Sequence, residues 1–168
     1  MSEPIAHDKD KVHSRVIARL KEQAEDIRRL ASGLGEELLA KRTVPDKWSL
    51  KELLCHLTRI QQVFEGRVEA MLARDNPAIA SYEPEGDPEF DRMAARPTEQ
   101  TLAEFTAGRD RLAARLKKLR PPDWHRPGTH PEFPHYDVHF AVEYMAHHEA
   151  HHIYQIYQRR SPFGPVPH

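Results

Sequence analysis

The residues of this chain best suited to chemistry are its histidines, twelve in 168 residues. Two overlapping pairs stand in one stretch, His147-His148-Glu149-Ala150-His151-His152, and a lone His56 lies about ninety residues upstream in another helix-like segment. Histidines four apart on a helix leave from the same face one turn apart, so their imidazoles can converge on one ion. A third imidazole from a neighbouring helix then completes a three-histidine face. The chemistry expected of this pattern is the binding of a divalent transition metal.

Such a trio needs rigid elements to hold it, and the apolar periodicity supplies four. Val12, Val16, Leu20, Ala24, Ile27, Leu30 and Leu34 recur at helical spacing and predict a long amphipathic helix over roughly 9–34. Gly33 and Gly35 weaken it, a short turn over 36–40 continues it, and Pro45 forces a break. A second helix opens at Ser49, where Ser49-Leu50-Lys51-Glu52 forms a capping box, and its apolar stripe runs from Leu50 to about Ala73. Residues 74–97, rich in Pro, Asp, Glu and Gly, read as a loop. Thr98 or Thr101 caps a third helix, the latter in a Thr101-Leu102-Ala103-Glu104 box, and Leu102, Phe105, Leu112, Leu116 and Leu119 carry its buried face until Pro121 and Pro122 stop it. After a segment rich in Pro and His, a fourth helix runs from about Asp137 to Arg159. No strand-period alternation appears. The expected fold class is all-α, an up-down four-helix bundle with long loops before helices three and four, in a single domain over 1–168.

A helical wheel selects the inward histidines. With roughly 100° per residue and Val138 at zero, the apolar stripe of the last helix centres at about 340°. His148 and His152 fall at about 280° and about 320°, whereas His147 and His151 fall at about 180° and about 220°. On the second helix, with Leu50 at zero, His56 falls within the apolar arc at about 240°. The expected ligands are therefore His56, His148 and His152, with His147 and His151 on the outer face. His125, His130, His135 and His139 read as surface or mouth residues, and His7, His13 and His168 as terminal ones. Cys55 points about 100° away from His56 and reads as a packed thiol.

Composition narrows the function. Lys plus Arg at 25 against Asp plus Glu at 26 gives no cationic excess of the kind that binding to a phosphate backbone uses, so no nucleic-acid partner is expected. A single cysteine excludes an intramolecular disulfide framework and fits a reducing cytoplasm. The polar start Met1–Asp10 lacks a signal-peptide core, and nowhere do eighteen apolar residues run together, so no membrane partner is expected.

Two segments give the chain a family likeness. Trp48-Ser49-Leu50-Lys51-Glu52-Leu53-Leu54-Cys55-His56-Leu57 resembles the tryptophan-serine opening of helix two in the DinB-like metal-binding four-helix bundles, named after a DNA-damage-inducible bacterial protein. His148-Glu149-Ala150-His151-His152-Ile153-Tyr154-Gln155-Ile156 resembles that family's last-helix histidine pair followed by a glutamine. The order of elements matches over about 10–160. The resemblance implies His56, His148 and His152 as ligands, nickel, zinc or iron as the ion, and homodimeric assembly. Related bundles include S-transferases that use bacillithiol or another low-molecular-weight thiol. They also include mycothiol-dependent maleylpyruvate isomerases, where a glutamate replaces one histidine; His148 aligns this chain with the three-histidine branch instead.

The leading expectation is a metal-dependent thiol S-transferase acting on a small-molecule substrate. Glu149 and Glu52 are the candidate proton carriers, each with a plain alternative: Glu52 as a helix cap, Glu149 as partner to a base on another helix. Arg67, on the His56 face, reads as a snorkelling salt-bridge residue or as a grip for a carboxylated substrate. The competing expectations are a non-catalytic metal- or ligand-binding stress-response protein and a metal-dependent hydrolase.

Overall fold

The computed structural model describes residues 8–168, so His7 lies outside it. Six α-helices follow in order: α1 (Asp8–Ala31), α2 (Glu36–Leu39), α3 (Leu50–Ala73), α4 (Pro88–Ala94), α5 (Thr98–Lys117) and α6 (Val138–Arg160), with 3-10 turns at Pro121–His125 and Ser161–Phe163. No strand occurs among the described residues beyond two isolated backbone bridges. The four long helices form the expected all-α bundle, and their ends are set by local chemistry. At α3 the capping box is formed: Glu52 N–H donates to Ser49 Oγ at 3.1 Å and Ser49 N–H to Glu52 Oε1 at 3.1 Å. Asp137 caps α6 by accepting from Phe140 N–H at 2.7 Å. Neither expected threonine caps α5. Its first N–H, on Thr98, donates instead to Glu36 Oε2 at 3.0 Å, while Thr101 Oγ1 accepts from Arg96.

The helices do not alternate up and down. Gln23 donates to the carbonyl of Ala146 and Arg160 to that of Ser32, so α1 and α6 run parallel. Gln61 donates to the carbonyl of Phe105 and Arg115 pairs with Glu69, so α3 and α5 are parallel as well. Contacts of Arg159 with Trp48 and of Arg67 with Tyr136 make α3 and α6 antiparallel. The order is up-down-down-up. Each long helix packs on two others, α3 on α5 and α6 and α1 on the same pair, which leaves α1 diagonal to α3 and α5 diagonal to α6. This corrects the up-down order, and the physical reason lies in the connection over 74–97. A parallel neighbour is reached only by a link that returns the full length of a helix, ~36 Å for the 24 residues of α3. The link also holds α4, opened by Asp87, which accepts from Glu89 N–H at 3.1 Å, and by Pro88 at its first position. At 7 residues α4 is too short to show a period, so the segment reads as loop from sequence.

The core divides into two apolar clusters, one built around Leu20, Ile60, Phe64, Leu112 and Met145, the other around Ile27, Leu54, Leu57, Phe105 and Ile156. Between them on α3, α5 and α6 sit Gln61, Arg109 and Glu149, with Arg109 and Glu149 only 1 % and 2 % exposed. The Arg109 guanidinium grips both Glu149 oxygens, donates from Nε to Gln61 Oε1 at 2.7 Å and reaches the carbonyl of Leu20 at 2.6 Å. Gly108 makes room for this network. A Cβ there would lie 2.5 Å from Gln61 Nε2, so a side chain would push the Gln61 amide out of its place in the network.

Candidate metal centre

Because α3 and α6 are antiparallel, the first turns of α3 lie against the second half of α6, and this brings His56 to His148 and His152. One nitrogen from each ring lies within 4.8 Å of the other two. Ring centroids are separated by 5.4 Å (His56 to His148), 4.7 Å (His56 to His152) and 4.5 Å (His148 to His152). His56 is buried, and the other two are half-buried. Trp48, just before the cap of α3, covers the His56 ring at 4.9 Å and is itself tied to α6, its carbonyl accepting from Arg159 Nε at 2.9 Å. On the other side Tyr144, one turn before His148, stacks over that ring at 6.4 Å.

The three imidazoles are held neutral. Burial lowers the pKa of His56 to about 3, with the neighbouring His152 and His148 adding to the shift. Burial, then His152 and His151, lower that of His148 to about 4. His152 is also lowered, chiefly by burial, although the Gln155 hydrogen bond works the other way. Neutral rings carry the lone pairs that a cation needs.

The arrangement fits an ion. His148 Nε2 and His152 Nε2 stand 3.2 Å apart. Two nitrogens bonded to one ion at about 2.1 Å are separated by roughly 3.0–3.4 Å, from octahedral to tetrahedral geometry. Gln155 Oε1 accepts from His152 Nδ1 at 2.7 Å, which places the ring proton on Nδ1 and leaves the Nε2 lone pair free to bind. Nδ1 of His56 and Nδ1 of His148 are buried with no hydrogen-bond partner in the protein. Three convergent neutral imidazoles, two of them 3.2 Å apart at Nε2, form a cation's donor set far better than a hydrogen-bonded core.

The two carboxylates expected to carry protons are committed elsewhere. Glu149 is locked in the buried pair with Arg109, and Glu52 is taken up by its cap and by Arg42, which donates to Oε1 at 2.9 Å and to Oε2 at 2.7 Å. Neither lines the cleft beside the histidines. The plain alternatives for both residues are the ones realised, so the assignment of Glu149 and Glu52 as proton carriers is corrected to a structural role. His147 and His151 are exposed, as the wheel places them, and Cys55 is fully buried, its thiol pushed up to about 11 by burial. Two other histidines differ from expectation. His13 stacks on Trp124 at 4.2 Å and its Nδ1 lies 3.0 Å from that of His139, so it packs between α1 and α6. His130 is buried, stacked on Tyr136 at 4.9 Å, with Nδ1 accepting from Glu132 N–H at 3.1 Å.

A cleft of about 360 Å³ opens from His56 and His148 along the α3–α6 groove. Its walls are aromatic: Trp48, Phe64, Tyr82, Phe133, Tyr136 and Tyr144. Arg67 and His130 supply polarity away from the histidines, and Glu83 and Glu132 stand exposed at its margin. Sequence reasoning missed these loop aromatics because a loop has no period to phase them. Tyr144 was legible, being four residues before His148 on the same face.

Comparison with known proteins agrees with the fold. The profile of the DinB superfamily matches residues 19–156. The Bacillus subtilis (strain 168) protein YuaE is 26% identical over 137 residues, which are 74% of this chain and 84% of that protein. Among solved structures, Bacillus subtilis YfiT superposes with a TM-score of 0.79 at 20% identity, covering 98% of this chain and 92% of that one; it is described as a probable metal-dependent hydrolase with an unusual four-helix bundle topology.

Proposed function

This chain belongs to the DinB superfamily, and we propose that it is a divalent-metal enzyme that activates a low-molecular-weight thiol for S-transfer, its ion held by His56, His148 and His152. The observation that carries this reading is the convergence of three neutral imidazoles, two of which, His56 and His148, line an aromatic cleft. A divalent ion bound there keeps its full charge, because its ligands are neutral, and favours the ionised form of a thiol or water in the position they leave open. Zinc, nickel and iron all suit imidazole donors. Gln155 orients His152, while Trp48 packs against the His56 ring and Tyr144 against that of His148. The choice of thiol rests on what stands beside the ligands. A free thiol ionises at about pH 8.5 and free water at about 15.7, so a thiol asks less of the ion, and the carboxylates flanking the ligands in sequence, Glu52 and Glu149, are held in ion pairs.

The likeness to YfiT supports a second reading, hydrolysis, since a three-histidine ion brings bound water to a pKa of about 7. One experiment separates them. Purified protein is analysed for metal, and Ala variants of His56, His148 and His152 are each expected to lose it. The loaded protein is then offered monochlorobimane with bacillithiol, mycothiol, glutathione or cysteine, and separately a nitrophenyl ester. Metal-dependent thioether formation with one of the thiols is expected. Ester turnover without any thiol transfer would replace the proposal with the hydrolytic reading.

A further inference from the structure

One charged group in the cleft has no part in the proposed chemistry. Arg67 lies on α3 eleven residues beyond His56, ~16 Å along the helix axis. Its NH1 donates to Tyr136 Oη at 3.2 Å, its NH2 to the carbonyl of Ala80 at 2.8 Å, and its guanidinium lies 4.8 Å from the Phe64 ring centre. These contacts fix the plane of the group and use two of its five N–H donors. Among the described residues no carboxylate pairs with it: the expected salt bridge is absent, and Glu83 and Glu132, exposed at the margin, remain more than hydrogen-bond distance away. A half-buried guanidinium braced on an aromatic wall, with donors to spare and no counter-ion, is built to receive an anion. Beside it, His130 accepts a backbone N–H at Nδ1, so its neutral ring carries the proton on Nε2 as a further donor in the cleft wall.

Between Arg67 and the histidines the wall is continuous. Phe64 lies beneath the guanidinium, Tyr144 stacks on Phe64 at 6.0 Å, and His148 stacks on Tyr144 at 6.4 Å. We propose that the substrate is an elongated monocarboxylate with an apolar or aromatic body, its carboxylate paired with Arg67, its body laid along Phe64 and Tyr144, and its far end delivered to His56 and His148. A monocarboxylate is favoured over a phosphate monoester because the cleft offers one cation and carries two carboxylates at its margin, which suits a single negative charge. That the far end is the reacting end rests on the proposed metal chemistry; the carboxylate's partner does not.

The test compares 4-phenylbutanoate with 4-phenylbutanamide by calorimetric titration, on metal-loaded protein and on protein stripped with a chelator. A charge-assisted pair lost on going from acid to amide predicts about 10- to 100-fold tighter binding of the carboxylate in both forms. Arg67→Gln should abolish that preference, and Arg67→Lys, which keeps charge but not the planar fork, should retain part of it. Melting curves establish that each variant is folded, and should Arg67→Gln fail to fold, Arg67→Lys and the wild-type ratio still decide. The proposal is overturned if folded Arg67→Gln keeps the preference, or if wild type binds both ligands equally or neither. It is overturned too if the preference appears only with metal and vanishes in His148→Ala, since the ion would then be the carboxylate's partner. Metal analysis decides the metal reading separately, so the two can fail independently.

Discussion

A histidine that serves a metal must present one nitrogen to the ion and account for the other, and of the three here only His152 has a protein partner for its second nitrogen. Gln155, one turn on, accepts its Nδ1 proton at 2.7 Å. Outer hydrogen bonds of this kind fix ring tautomer and direction, and their loss typically weakens metal binding by about 10- to 100-fold. Gln155→Leu should therefore lower metal affinity by that factor with little change in melting temperature of the metal-free protein, measured by competition with a chromophoric chelator. Unchanged affinity would mean that packing, not Gln155, orients the ring. At this scale the candidate ligands were legible, because one wheel places His148 and His152 inward and His147 and His151 outward, and burial agrees. The role of Glu149 was legible only in part. It falls in the core stripe of α6, and a carboxylate there must meet a buried base, yet the sequence could not choose that base without knowing which helices touch. Arg109 lies between Phe105 and Leu112 on the buried face of α5 and is the base.

At the scale of helices, what was legible followed from pattern and what was not followed from packing partners. The spans of α1, α3, α5 and α6 are set by apolar periodicity and by caps that lie next to them in sequence, such as Ser49 and Asp137. The up-down-down-up order depends on contacts between distant residues, and its one sequence trace is the length of 74–97. The Arg109–Glu149 pair joins α5 to α6, a diagonal pair that otherwise meets only weakly, with Gln61 bringing in α3 and the Leu20 carbonyl bringing in α1. All four helices are thus coupled through one buried cation. Removing one member of a buried ion pair leaves an uncompensated charge and costs about 3–5 kcal/mol. Glu149→Gln should lower unfolding free energy by that order in urea titration of the metal-free protein, and Arg109→Met with Glu149→Leu should recover most of it. If Glu149→Gln instead leaves stability intact and removes turnover, Glu149 carries protons after all.

For the whole molecule, the two apolar clusters and four long helices supply a core of their own, so the bundle should stay folded at room temperature when its ion is stripped, and the ion should raise the melting temperature by mass action. The same histidines make that stability sensitive to acid. A histidine free in the unfolded chain takes a proton at about pH 6.5, whereas in the fold burial holds His56 down to about 3 and His148 to about 4, with His152 shifted in the same direction. Between those values the unfolded chain binds more protons than the folded one, so stability rises with pH through this window. The contribution of the neutral rings is complete above about pH 6.5 and is lost as the pH falls towards the folded values. For His56 alone, the loss at pH 5 is about 2 kcal/mol. In the metal-free protein the urea midpoint should fall steadily from pH 7 to pH 5, and His56→Leu, which has no proton to take up, should flatten the curve. With metal bound the fall should be steeper, because protons and the ion compete for the same lone pairs. A metal-free protein whose stability is level from pH 7 to pH 5 would show that the three rings are protonated as readily in the fold as outside it, and the case for a neutral donor set would fail with it.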